Sequence, residues 1–578
     1  MSFDTLIMKM ITQELQTELA GASAQRISEP ARGEIIIDFY GQGKQENLLF
    51  SIESKYARVH LTGATRKKKK NNLQPSPFCM LLRKYLIGGR AISFSNPPLE
   101  RILEIEFDPP DGLPPVKLIA EIMSRRSNLI LVDQNNMILG AARTVSWEKN
   151  PVRVILPGEK YEEVPPQNKL KPLDLRVDKF ASQLKELISE GKKPEQALVG
   201  AVNGISPLTA RELLYRTGWN INELQESSER LQNEIIKLFS AAERGNLQPV
   251  MLPSRRIYAA IPLTHLPAED QVKVEKANEM LDRFYSRIIR DEREKALRDQ
   301  LVSAVERRLA GLERKRREQN KELLATEKAP QHRLFGETLL TYGDQVPRGA
   351  ESVLLPDLYN PDQKLLVPLN PSKNAAANAK YYFNRYRKAK NGRDKVRRQL
   401  AITGAEIEYC RGLLYTIESG TESSLQEIRQ ELIEAGYLRD RQKSPRRENL
   451  LPQPLTFKTS SGRTVLVGRN NRQNDYITFK AAVRRDTWFH VRQVPGSHVV
   501  LKESPYPPPP EDCEEAAFLA AYFSKGRESS AIDVDYTEVR HVRRRPGGKP
   551  GFVFYENYET ITVNPRDEKM KRMFKLDR

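Results

Sequence analysis

Residues 465–500, VLVGRNNRQNDYITFKAAVRRDTWFHVRQVPGSHVV, hold the densest set of chemically capable side chains in the sequence. An apolar run, Val465-Leu466-Val467, ends at Gly468. The polar cluster Arg469-Asn470-Asn471-Arg472-Gln473-Asn474-Asp475 follows, and then Trp488-Phe489-His490-Val491 and Pro495-Gly496-Ser497-His498. Guanidinium, amide and imidazole donors on strand-and-turn segments beside an aromatic pair suit phosphate, ribose and base contacts better than acid/base catalysis. Arg469, Asn470, Asn471, His490 and His498 are the candidate RNA contacts of this block. Trp488-Phe489 reads first as core and second as a stacking platform.

The rest of the sequence does not point to catalysis either. The six histidines, His60, His265, His332, His490, His498 and His541, are scattered, and His490 and His498 stand eight apart. Cys79, Cys410 and Cys513 have no C-x-x-C spacing, so neither a zinc ribbon nor a disulfide framework is expected. No metal and no cofactor are expected. P-loop, GxGxxG and GxSxG patterns are missing, which leaves nucleotide hydrolysis and serine chemistry without support. Glu104 and Glu106 share one strand face, which is ordinary patterning. The expectation is a binding protein, not an enzyme.

The 578 residues suffice for three or four domains, and the formal net charge is +19. That excess favours a polyanionic partner, because neutralised phosphates release counterions. The blander reading is a solvated charged surface, since 29% charged residues is only slightly above average. Cysteine usage fits a reducing cytosol, and no apolar stretch approaches a membrane span. The first residues, MSFDTLIMKMITQELQTEL, form an amphipathic pattern containing Asp4 and Glu14, unlike a signal peptide. A soluble, cytoplasmic protein without a membrane partner is expected.

Around these residues the pattern predicts an α+β multidomain chain. In residues 1–170 short strands are expected at Ile35–Phe39, Leu48–Ile52, Arg58–Leu61, Ile102–Phe107, Leu118–Ile122 and Leu129–Asp133, with a helix at Pro77–Leu86. The run Arg66–Lys70 reads as a basic loop. Residues 175–245 are expected to be helical throughout, with Ser206 as N-cap and Pro207 at the first helical position after Gly204-Ile205. Two short helices joined this way resemble a helix-hairpin-helix element, whose turn can aim backbone N–H groups at a phosphate.

Residues 270–437 carry two heptad-patterned arms, 270–328 and 378–436, around a tip insertion at 329–377. Leu281, Ile288, Val302, Leu309 and Leu323 recur at multiples of seven; Val396, Leu400, Thr403, Ile407, Cys410, Leu414 and Ile417 alternate steps of four and three. A long antiparallel coiled coil is expected, each arm roughly 85–90 Å at about 1.5 Å per residue. A polar, basic linker (439–454) leads into a C-terminal α+β domain at 450–578, which includes the basic turn Arg540–Gly551.

With these parts in order, the chain resembles the NFACT family. The resemblance is carried by Leu49-Phe50-Ser51, Ala57–Thr62, Pro77–Leu86, Ser127–Leu131, Pro157-Gly158, Tyr161, Asn378–Phe383, Gly468–Asn471, Asn474-Asp475, Trp488–His490, Pro495–His498, Val534–Thr537 and Lys549–Val553. It implies an NFACT-N domain (1–170), a helix-hairpin-helix domain (175–265), the coiled coil, and an NFACT-R domain (450–578). It further implies a role in ribosome quality control: binding of a large ribosomal subunit that still holds peptidyl-tRNA, contact with ribosomal RNA, and recruitment of tRNA, alanyl-tRNA in bacterial members. The result is an untemplated C-terminal tail that marks the stalled chain for degradation. A small quality-control partner protein is also implied.

The family's tRNA-recruiting Asp-Arg pair falls on Glu100-Arg101, with Glu in place of Asp, so the carboxylate reaches one methylene further. Glu121-Ile122-Met123 matches a second segment, and Arg125 stands beside it. The resemblance implies Glu100, Arg101, Glu121, Ile122 and Met123 as tRNA-binding residues, and Arg125 is added to them for its place beside the second segment. The N-terminal part also resembles formamidopyrimidine-DNA glycosylase. Ser2 and Phe3 stand where that enzyme has its proline and glutamate, so glycosylase chemistry is not expected. The alternative that travels with the NFACT resemblance is a fibronectin-binding surface adhesin.

Overall fold

Alternating apolar residues dominate the early strands and assemble them into one sheet. In this computed structural model, which describes residues 3–63, 74–110, 112–148, 152–360, 362–439, 452–545 and 549–576, the strands are β1 (Ser23–Ala31), β2 (Glu34–Gly41), β3 (Lys44–Ser51), β4 (Arg58–Leu61), β5 (Arg90–Ser95), β6 (Ile102–Asp108), β7 (Val116–Glu121), β8 (Asn128–Asp133) and β9 (Ile138–Ala141). Their order is β4-β3-β2-β1-β5-β6-β7-β8-β9, each neighbouring pair antiparallel. Ser2, the run Arg66–Lys70, most of the 439–454 linker and the centre of the basic turn lie outside the described residues. The period-2 pattern of β6 shows the sidedness. Leu103, Ile105 and Phe107 are buried, while Glu104 pairs with Lys117 and Glu106 accepts from the Ser93 hydroxyl.

The chain divides into two compact units, Met1–Asp291 and Glu292–Arg578. In the first, α1 (Thr5–Leu19) and α2 (Pro77–Leu86) pack in the same core as the sheet. Asp4 caps α1 by accepting from the Ile7 N–H. Ser76 caps α2 in the same way, with Pro77 in its first turn. The helices α3 (Val177–Ser189), α4 (Pro194–Ala201), α5 (Pro207–Arg216) and α6 (Leu224–Glu243) follow, and Leu231, Ile235 and Phe239 of α6 extend that core. Ser206 is the N-cap of α5, accepting from the Thr209 N–H, with Pro207 behind it.

A 50-residue helix, α7 (Ala277–Thr326), contains the end of the first unit. In the second unit α8 (Ala329–Thr341) precedes α9 (Ala375–Ser419). Arg298 donates to the carbonyls of Ile417 and Gly420, and Arg308 pairs with Glu406, so α7 and α9 run in opposite directions here. The helix expected across 378–436 stops at Gly420. A Cβ there would meet the Thr416 carbonyl at 2.8 Å and the Ser424 hydroxyl at 2.9 Å. A separate helix, α10 (Glu422–Glu434), follows. Its Leu425, Ile428 and Leu432 share a core with Leu301, Val305, Leu312, Ile407, Cys410, Leu413 and Ile417. Val302 and Leu309 are only half-buried, because a third helix draws on a wider stripe than a two-helix seam.

The C-terminal part adds α11 (Asn471–Tyr476), α12 (Pro510–Tyr522) and a six-stranded sheet. Three of its strands are Thr464–Val467, Thr487–Val491 and Ile532–Glu538. Trp488 and Phe489, adjacent on one strand, face opposite sides. Phe489 joins α12 in one core, and Trp488 joins Ile477, Val500, Val539 and Val542 in another. Among the described residues no helix is long and apolar enough to cross a membrane.

Candidate nucleic-acid interface

The turn between β5 and β6 is fixed by its backbone. Leu99 adopts φ +63°, and the Glu100 N–H donates to the Pro97 carbonyl. Three further elements close around this turn. The Arg101 carbonyl accepts from the Ile122 N–H at 2.9 Å, which joins Arg101 to the end of β7. The α4–α5 turn approaches through Gly204 at φ +80°, where a Cβ would meet Leu99 Cδ2 at 3.1 Å and the Phe239 ring at 3.2 Å. Only glycine combines that backbone with that clearance. The Thr5 hydroxyl donates to the Gly204 carbonyl, and the Leu170 N–H donates to the Ala201 carbonyl.

The charges at this junction are coupled. Burial raises the Glu100 carboxyl above its ordinary value, while the charges of Arg101 and Lys169 oppose the rise. Burial likewise raises Asp4, opposed by the Ile7 N–H, the Ser206 hydroxyl and the Arg101 charge. The Arg101 charge therefore acts on two carboxyls, Glu100 and the α1 N-cap Asp4, and the Lys169 charge acts on the first of them. The Arg101 guanidinium is the kind of planar fork that meets a phosphate or a base edge. Lys169 and Asp4 carry no local signal of this junction, because one stands 69 positions after Glu100 and the other 97 before Arg101; only the fold supplies the coupling.

The structure brings Glu100, Arg101 and Ile122 together but turns the Glu121-Ile122-Met123 segment largely inward. Glu121 is 2% exposed; its carboxylate accepts both Nη groups of Arg153 and the Tyr161 hydroxyl. Burial works against the Arg153 charge, but the Glu121 hydrogen bond and charge outweigh it, so the guanidinium titrates above its usual range. Burial and the Glu121 charge push the Tyr161 phenol up. Ile122 is buried, Met123 half-buried, and Arg125 exposed on a 3-10 turn.

The C-terminal candidates occupy a different setting. Asn470 is 1% exposed and caps α11 by accepting from the Gln473 N–H, while its own amide donates to Glu427 of α10. Asn471 donates to Glu431. Arg469 donates to the Thr421 hydroxyl and the Gln453 carbonyl. The cluster thus ties α11 to α10 and offers an RNA little surface. His490 and His498, eight apart in sequence, converge with ring centroids 5.5 Å apart, each beside Trp488. His498 is 2% exposed and its Nδ1 lies 2.8 Å from the Thr478 hydroxyl. Burial lowers His490 to about 4 and His498 well below its ordinary value, so both rings are neutral at pH 7. In the basic hairpin, Arg540 pairs with Glu538, Arg543 with Glu556 and Arg544 with Asp475. Among the described residues no group of three or more His, Cys, Asp or Glu could hold a metal ion.

Comparison with known proteins adds to this geometry. Residues 4–450 match the model of the NFACT N-terminal and middle domains, and residues 453–555 that of the NFACT protein RNA binding domain. The chain is 33% identical to the Rqc2 homolog RqcH of Bacillus subtilis, covering 98% of both chains. It is 33% identical to the Rqc2 homolog RqcH of Streptococcus suis, covering 99% of this chain and 100% of that one. A solved structure, the C-terminal of the fibronectin/fibrinogen-binding protein from Streptococcus suis, is 32% identical and covers 49% of this chain and 99% of its own, with a TM-score of 0.39.

Proposed function

This chain belongs to the NFACT family, and from that premise we propose that it is a ribosome quality-control factor that binds RNA. It engages large ribosomal subunits that still carry peptidyl-tRNA and brings tRNA, alanyl-tRNA first among them, for untemplated C-terminal tailing of the stalled chain. Peptide transfer is left to the ribosome, and the protein contributes binding and placement without catalytic residues of its own. The observation that carries this reading is the near end-to-end similarity to two Rqc2 homologues together with a matched RNA-binding domain. The net charge of +19 supports a polyanionic partner.

Within this reading Arg101 contacts the tRNA, and Glu100 orients it or reads a base edge. The opposed helices α7 and α9 form an antiparallel coiled coil that reaches the subunit, and the α4–α5 turn is a helix-hairpin-helix element flanking the tRNA. The glutamate in place of the family's aspartate changes the reach of the carboxylate, so the amino acid carried by the recruited tRNA is the point to measure.

The tagged protein should co-sediment with peptide-bearing large subunits at moderate ionic strength, and sequencing of the RNA bound to it should return tRNA. For Arg101→Ala, large-subunit binding should persist while tRNA recovery falls about 5- to 150-fold, the range for losing one bidentate arginine contact. Joint loss of subunit and tRNA binding in a folded variant would sink the division of labour.

A further inference from the structure

Three cations of the basic hairpin, Arg540, Arg543 and Arg544, are matched by Glu538, Glu556 and Asp475. Lys549 is not. It reaches α9 and the end of α10, its Nζ 5.9 Å from the Tyr409 ring centroid and 5.7 Å from that of Tyr437. The backbone behind it is clamped. The Phe552 N–H donates to the Lys549 carbonyl, the Phe552 ring packs 5.8 Å from that of Tyr409, and Gly551 at φ +78° runs so close to α11 that a Cβ would meet Asn471 Cα at 3.1 Å. Lys549 there lines a cleft of about 390 Å³ together with Arg307 and Arg308 of α7, Glu406 of α9 and Tyr437. Arg308 and the Tyr437 hydroxyl are committed to Glu406, donating to one of its oxygens. Burial works against the Glu406 charge, but those hydrogen bonds and the charges of Arg308 and Lys549 outweigh it and hold the carboxyl below its ordinary range. Arg307 donates to the Ser303 carbonyl and Lys549 meets only rings, so neither has an ion-pair partner among the described residues. Carbonyls at the end of α10 accept from the Ala435, Gly436, Tyr437 and Leu438 N–H groups, which leaves these two cations for a ligand.

We propose that this cleft binds one phosphate group of the bound RNA, with Lys549 and Arg307 as its cationic contacts and Glu406 as the positioning residue that holds Arg308 and Tyr437 in its wall. This rests on the RNA-binding reading above. An ammonium and a guanidinium on opposite elements, both without a carboxylate, suit a phosphate, which accepts charged hydrogen bonds from several directions at once. Lys549 also lies within the segment that matches the RNA binding domain, while Arg307 lies on α7, so the site is complete only where the two meet.

The test titrates the full chain with purified tRNA and, separately, with large ribosomal subunits over a range of salt concentrations. Lys549→Gln and Arg307→Gln should each weaken binding of one of these RNAs about three- to tenfold, the loss of one charged contact. Made together they should flatten the salt slope by roughly one unit, the count for a single phosphate. Arg543→Gln removes a cation from the same hairpin, but one already matched by Glu556, and should change affinity less than about twofold. Glu406→Gln removes the negative charge of the cleft and should tighten binding about two- to fivefold, which a loss of structure would not do. If wild-type protein binds neither RNA, the RNA-binding reading falls and takes this inference with it. If it binds, yet Lys549→Gln and Arg307→Gln behave like Arg543→Gln, the cleft alone is overturned. Adenosine monophosphate that binds the wild type and is lost with the same two variants, while both RNAs still bind, would overturn RNA as the source of the phosphate.

Discussion

Replacing Glu121 by alanine should destabilise the first unit by about 3–5 kcal/mol, the cost of leaving a buried charge without its partner. The Arg153 side chain is 11% exposed and the Glu121 side chain 2%, so water cannot replace the lost carboxylate. The Tyr161 hydroxyl also loses its acceptor. Glu121→Gln keeps one acceptor oxygen and the side-chain volume and should cost less. Tyr161→Phe removes a single hydrogen bond and should cost about 1–1.5 kcal/mol. Chemical denaturation of the three variants would check the ranking. An alanine variant as stable as wild type would show that the pair is not buried in solution. This result also bears on function. A loss of tRNA affinity in Glu121→Ala that tracks its loss of structure, and that Glu121→Gln largely restores, identifies a supporting residue and not a contact.

The C-terminal domain should lose stability as pH falls from about 6.5 to about 4. The sign follows from the direction of the shifts. In the unfolded chain an imidazole takes up a proton near pH 6.5, whereas burial holds folded His490 neutral until about pH 4 and His498 to lower pH still. The unfolded state therefore binds more protons across that window, and the stabilisation present above pH 6.5 drains away below it. At about 1.4 kcal/mol per unit, His490 alone accounts for at most about 3.5 kcal/mol, and the half-buried position of the residue reduces that figure. Denaturation followed by the fluorescence of Trp488, whose ring stacks on His490 at 5.7 Å, should show the midpoint falling between pH 7.5 and pH 5. His490→Gln should flatten the slope. A midpoint independent of pH over that range would contradict the lowered protonation of these two rings in the folded domain.

Much of the fold is written in local pattern. Ile35–Phe39, Leu48–Ile52, Arg58–Leu61, Ile102–Phe107, Leu118–Ile122 and Leu129–Asp133 all lie on strands of the nine-stranded sheet or run at most a residue past one. Pro77–Leu86 is a helix with those bounds, and Ser206-Pro207 starts another. Such signals are short-range, since period-2 alternation, a capping hydroxyl and a proline in the first turn act within a few residues. β1, β5 and β9 give no such signal. In β1 charged and polar residues interrupt the alternation, and β9 has a glycine, Gly140, among its four residues.

The sequence by itself therefore determined the element types, the order of parts, the basic character and the family resemblance, because each depends on residues close together in the chain or on the whole composition. The tertiary structure alone decided which side chains remain open to a ligand. Asn470 and His498 look like RNA contacts as a string of residues, but packing against α10 and Trp488 commits their donors inside. Lys169 and Asp4 carry no sign of this junction in sequence, yet pairings across the β5–β6 turn and the α4–α5 turn couple Lys169 to Glu100 and Asp4 to Arg101. The reason is the same in each case. A polar group that finds a partner within the fold is withdrawn from solvent, and that partner is chosen by contacts between residues tens of positions apart, where no periodicity reaches.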